Sequence, residues 1–144
     1  MNNVPLKGIL VGSAISITLG FISYLVVAFI SIYALDLQKG GATLEALAAV
    51  NDLMHSNVAY FLSFPVTFIF LSIAGYHAAK RSVATPYFSA TAVALITIVV
   101  LNYGDFYTIT MYRNYIPIVA GALVGCYLWV REQKLNQALK QGSA

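Results

Sequence analysis

The sequence predicts an all-α fold: a polytopic membrane protein whose four transmembrane helices form an antiparallel bundle, with both termini cytoplasmic. Three observations predict it. Residues 8–35 contain no charged side chain, and shorter uncharged stretches follow at 57–79, 82–104 and 114–130. A hydrocarbon core of about 30 Å needs roughly 20 apolar residues per helix, and nearly every ionisable group falls between these stretches. Finally, 60% of the residues are hydrophobic and 9% charged, with a mean hydropathy of +0.79, far from the roughly 25% charge of soluble domains. A single domain of 144 residues is expected, since four spans leave only short links and a tail.

Span one is expected at about 8–35. It exceeds the h-region of a signal peptide, about 7–15 residues, and so reads as a retained helix. In the following link Gly40 and Gly41 break the chain, and residues 43–55 predict a short outer helix. There Leu44, Leu47, Val50, Leu53 and Met54 recur at threes and fours, while Glu45, Asp52 and His55 share another face. Span two is expected at 57–79. Span three begins at Pro86, because Thr85 is a good N-cap and proline at the first helical position forfeits no intrahelical bond. Spans two and three are then joined by a link so short that they must pack as an antiparallel hairpin.

Span three is expected to end near 104. Tyr103, Phe106, Tyr107, Tyr112 and Tyr115 follow around the outer link, where aromatics favour the headgroup region. The uncharged stretch 114–130 would cover only about 25 Å as a helix, so span four is drawn from about 110 to 130. Trp129 would sit at its cytoplasmic edge. The tail 131–144 continues a helical pattern, with Leu135 and Leu139 four apart and Gly142 as its stop.

Alternating sides place Lys7, Lys80, Arg81, Arg131, Lys134 and Lys140 on one face of the membrane and only Lys39 and Arg113 on the other. This bias directs both termini inward and suggests the inner (plasma) membrane of a bacterium. The net charge of +3 forms no basic stripe, so nucleic acid is not an expected partner; the lipid bilayer is. Cys126, the one cysteine, lies within span four and excludes an internal disulfide.

Three groups of residues are candidates for function. Gly8, Gly12, Ser16 and Gly20 recur every four residues in span one, and Gly121 and Gly125 repeat that spacing in span four. Such small-residue faces let helix backbones approach closely, either between protomers or inside one bundle. In span two Ser56, Tyr60, Ser63 and Thr67 share a face, which reads as a polar path or as interhelical hydrogen bonding; Pro65 among them could kink the helix. Asp105 and Arg113 flank the outer link, and extending span four brings Arg113 into the membrane edge, where an arginine snorkels or pairs with a carboxylate. The pair reads as a gate or as a structural clamp.

His55 and His77 would stand about 33 Å apart on one helix and cannot share a metal. No metal site, cofactor or catalytic residue is expected, because the sequence has no metal-ligand motif, phosphate loop or nucleophile elbow. The expectation is a non-catalytic membrane protein acting through helix contacts: a homo-oligomer, an accessory subunit, or an immunity or exclusion factor bound to another integral membrane protein. The alternative is a small channel, transporter or holin-like pore for ions or small solutes.

Overall fold

The computed structural model describes residues 5–39, 48, 52, 57–101 and 109–142. Among them are four helices and no strand: α1 (Leu6–Lys39), α2 (Asn57–Arg81), α3 (Pro86–Leu101) and α4 (Ile109–Gly142). Of the stretch 43–55, Ala48 and Asp52 are helical and exposed, and the rest lies outside the described residues.

Helix ends follow local chemistry. The Pro5 carbonyl accepts the Ile9 N–H at 3.1 Å and so opens α1. α2 closes on Lys80 and Arg81, cations that favour the carbonyl-rich end of a helix. Residues 82–85 turn the chain: Ser82 N–H donates to the Ala79 carbonyl and Thr85 N–H to that of Ser82, both at 3.0 Å. The Thr85 carbonyl then receives the Ser89 N–H at 3.2 Å, so Thr85 holds the N-cap position and Pro86 the first helical one. α4 runs twelve residues past Val130, because 131–142 is rich in strong helix formers and continues without a break to Gly142.

The layout is a rhombus. α2 and α3 touch along the short diagonal, while α1 lies in the groove on one side of them and α4 in the groove on the other. Among the described residues α1 and α4 do not meet, and the α2–α4 contact is the most extensive. Gly121 faces Phe68 and Gly125 faces Ser72, so α2 and α4 run parallel; Gly8 faces Ala78 and Gly12 faces Ala74, so α1 and α2 run antiparallel. Three small clusters fill the interior. Leu71, Ala94, Ile118 and Ala122 form one, Ala74, Ala78 and Val93 the next, and Ala79, Ala90, Cys126 and Trp129 the last. Trp129 is buried rather than set at the edge, since the alanines opposite leave room for an indole ring.

Size decides which groups point inward. The residues with no exposure are alanines, Ser16, Ser89, Val93, Thr97 and Cys126, whereas Phe21, Phe29, Phe61, Phe88, Leu95, Ile116 and Leu128 are exposed. Among the described residues no helix is long and apolar enough to cross a membrane. α3 has 16 residues, α2 contains Pro65 and ends on charge, and α4 contains Pro117 and a charged last third. In α1, side chains are described without a gap only from Pro5 to Ile22. An all-α bundle of four helices stands; bilayer crossing does not follow from length and apolarity alone.

A Cβ on Gly75 would strike the backbone of Ala122, and one on Gly125 the backbone of Ser72 and Tyr76. Backbone atoms cannot rotate aside. Gly75→Ala and Gly125→Ala should therefore each cost about 1–3 kcal/mol, the usual penalty of overpacking, whereas Leu128→Ala on the exposed face should cost little. Thermal unfolding of the purified variants checks the ranking; equal midpoints for all three would contradict it.

Candidate functional site

The glycine faces are occupied within the chain. A Cβ on Gly8 would meet the Ser82 side chain and, at 2.6 Å, the Ala78 carbonyl oxygen; on Gly12 it would meet Val93 at 2.7 Å and Ala78 at 2.9 Å. Gly121 stands against Phe68, 2.6 Å from a Cβ to the carbonyl oxygen, and Gly125 against Ser72. Gly20 is only half-buried. Placing Leu at Gly12 or Gly121 would thus break the bundle before it could disturb any contact between chains.

Ser16 is fully buried and lies 2.5 Å from the Thr97 hydroxyl on α3. Proton counting fixes the direction. Thr97 donates its one hydroxyl proton to the Val93 carbonyl at 2.8 Å, so Ser16 must donate to Thr97. Other hydroxyls return to their own helix: Ser72 to Phe68, Ser89 to Thr85 and Thr91 to Tyr87, at 2.8, 3.2 and 2.9 Å. Ser13, one turn below Ser16, is buried without a hydrogen-bond partner among the described residues.

The span-two polar face is placed only in part. Ser63 and Thr67 are half-buried on α2 and Pro65 is exposed. Ser56 and Asp105, and the side chains of Tyr60 and Arg113, lie outside what is described. Arg113 belongs to α4, whose backbone begins at Ile109, so the helix does start before it. His77 accepts a 3.4 Å hydrogen bond from Arg81 one turn on, and His55 lies outside the described residues. Among the described residues no group of acidic, histidine and cysteine side chains could hold a metal.

What the structure does assemble is one charged end. The antiparallel path gathers the start of α1, the α2–α3 turn and the exit of α4, bringing Lys7, Lys80, Arg81, Arg131 and Lys134 to the same end, all exposed. Glu132 is the one carboxylate in α2, α3 or α4, and its Oε2 accepts the Tyr76 hydroxyl at 2.5 Å, tying α2 to the emerging α4. Ser82 Oγ donates to the Pro5 carbonyl at 3.3 Å and ties the turn to α1. Neither link was expected. For Ser16 a signal did exist: Thr97 is the lone hydroxyl in the aliphatic run 92–101, and such a hydroxyl needs a partner when it faces inward.

The Ser16–Thr97 bond makes an asymmetric prediction. Thr97→Val removes the acceptor and leaves the Ser16 proton without it, whereas Ser16→Ala leaves Thr97 bonded to Val93. Thr97→Val should be the costlier, and a double-mutant cycle should give a coupling of about 0.5–1.5 kcal/mol. Additive effects in thermal unfolding would dismiss the bond. No protein-family model, no characterised relative and no solved structure matches this chain.

Proposed function

We propose that the chain is a four-helix integral membrane protein, non-catalytic, that works by lateral contact with another membrane protein, as an accessory or immunity-type subunit. The inverted size distribution carries this reading. Phe21, Phe29, Phe61, Phe88 and Ile116 are 60, 71, 72, 62 and 59% exposed, while small residues, mostly alanine and serine, predominate in the interior beside Leu71, Val93, Ile118 and Trp129. Water does not tolerate such a surface, since soluble monomers rarely show contiguous apolar patches beyond a few hundred Å². A single protein interface would cover one side only. Here Leu10 and Phe29 on α1, Ile69 and Ile73 on α2, Leu95 and Val99 on α3, and Leu123 and Leu128 on α4 are all exposed, so every helix offers apolar groups outward.

The sequence offers the uncharged run 8–35 for a membrane span, although among the described residues no helix meets the length and apolarity of one. Phe29 and Tyr33, in the second half of that run, are exposed. The gathered cations support a cytoplasmic placement of that end.

Among the described residues the buried polar groups are Ser13, Ser16, Ser82, Ser89 and Thr97, hydroxyls with no ionisable group suited to acid–base work. A pore along the bundle axis gains no support, because α2 and α3 pack directly across it. With the glycine faces used internally, contacts to a partner fall to the outward aliphatic and aromatic groups.

Extraction of membranes with alkaline carbonate should leave the protein in the pellet, and its release would refute the membrane placement. In mild detergent the protein should run with a second polypeptide, and a homo-oligomer alone would replace that partner with a second copy of this chain. A lone monomer that keeps its native melting midpoint would refute action by contact.

A further inference from the structure

At the charged end, the start of α1 and the turn between α2 and α3 border a half-open cleft of about 350 Å³, in the ~300–1,000 Å³ range of small-ligand sites. Its polar character is one-sided. Lys7 and Arg81 line it, together with Ser82 and Thr85, and among the described residues no carboxylate does. Glu132, the acidic group at this end, sits on α4 and is engaged by Tyr76. Arg81 donates one N–H to His77, which steadies the guanidinium and leaves its remaining donors available for a second, bidentate partner.

The walls are held in place before any ligand arrives. Ser82 Oγ donates to the Pro5 carbonyl across the cleft floor, and Gly8 lies so close to Ser82 and Ala78 that a Cβ there would force them apart. The first turn of α3 starts at Thr85, and its leading N–H groups lack intrahelical acceptors, which adds partial positive charge to that of the two side chains. Val83 lines the cleft and is exposed, and Leu6, next in sequence to its walls, and Phe88, one turn into α3, are exposed too. An anionic head flanked by apolar groups is what such surroundings match.

We propose that this cleft binds a phosphate group, held between Lys7 and Arg81, and that the phosphate is the headgroup of an anionic phospholipid. The phosphate chemistry follows from the cleft itself, while the lipid as its source rests on the membrane reading. Free phosphate is the other source of the same chemistry.

Native mass spectrometry of the full chain in mild detergent tests the assignment, with phosphatidylglycerol, phosphatidylcholine and inorganic phosphate as probes. Phosphatidylglycerol should be retained in preference to phosphatidylcholine. Lys7→Ala with Arg81→Ala should weaken retention about thirtyfold, the loss expected for two cations near an anionic surface. Arg131→Ala with Lys134→Ala removes the same charge from α4 and should leave retention within about twofold, a difference too small to match even one such cation. Equal weakening by both pairs, at unchanged melting midpoints, would overturn the cleft in favour of diffuse attraction. Dependence of inorganic phosphate binding on Lys7 and Arg81, without phosphatidylglycerol retention, would keep the phosphate site and reject the lipid. Carbonate extraction separates the two readings: a chain that stays in the pellet but shows neither preference loses the cleft and keeps the membrane.

Discussion

At five places the hydrogen that glycine carries where other residues carry Cβ is directed at a carbonyl oxygen of a neighbouring helix. Gly8 faces Ala78, Gly12 faces Ala74, Gly75 faces Ala122, Gly121 faces Phe68 and Gly125 faces Ser72. Each approach permits a Cα–H···O contact, individually weak, but repeated along two helix pairs. More important is what the approach allows around it. When backbones touch, the atoms beside them meet at van der Waals distance, and dispersion is gained along the whole seam. α2 is the hub, offering Ala74 and Ala78 to α1 and Ser72, Gly75 and Ala79 to α4. A larger residue on either face would push a neighbouring helix away.

Close approach sets the rest of the interior. With α2 against both outer helices and α3 closing the short diagonal, little room is left for long polar side chains, and among the described residues the buried polar groups are hydroxyls. Serine and threonine suit this because each can return its proton to a carbonyl of its own helix one turn back, as Ser72, Ser89 and Thr97 do. The hydroxyl oxygen then remains an acceptor. Thr97 uses that capacity for Ser16 and links α1 to α3 without any unpaired donor. Ser16, Ser72, Ser89 and Thr97 thus act singly, each closed within its turn or joined to one neighbour.

How much of this could be read in the sequence depends on the range of the interaction. The α2–α3 hairpin was legible almost to the residue because Thr85 and Pro86 act locally and the interval to Arg81 is short. The small residues Gly8, Gly12, Gly121 and Gly125 were legible as faces, since periodicity needs only one helix. Their partners were not. Nothing in the spacing of Gly121 and Gly125 points to Phe68 and Ser72, or says that α4 lies against α2 while staying clear of α1. Topology chooses between equivalent small faces, and it is fixed by the sum of all seams. Tyr76 with Glu132 was missed for a related reason: residue 132 looked like part of a tail, and only its position on a helix packed beside α2 makes it a partner. The expected pairing of Asp105 with Arg113 concerns groups outside the described structure.

Packing is also graded along the bundle axis. From the charged end inward, Gly8, Gly12 and Ser16 on α1 are buried and Gly20 is half-buried; on α2, Ala78, Ala74 and Leu71 are buried while Thr67 and Ser63 are half-buried. α3 repeats the trend from Ser89 to Thr97 and then Ile98, and α4 from Trp129 to Pro117 and then Tyr115. Side-chain size changes in step. α2 has alanine and glycine near its basic end and four phenylalanines, Phe61, Phe64, Phe68 and Phe70, toward the other. The small residues near the charged end bring backbones together there, at Gly8, Gly12, Gly75 and Gly125. A clamp beside the cations keeps the α2–α3 turn, the start of α1 and the root of the α4 extension in fixed relation. Toward the other end the side chains are larger and less enclosed, as Phe61, Phe64, Thr67 and Ser63 show.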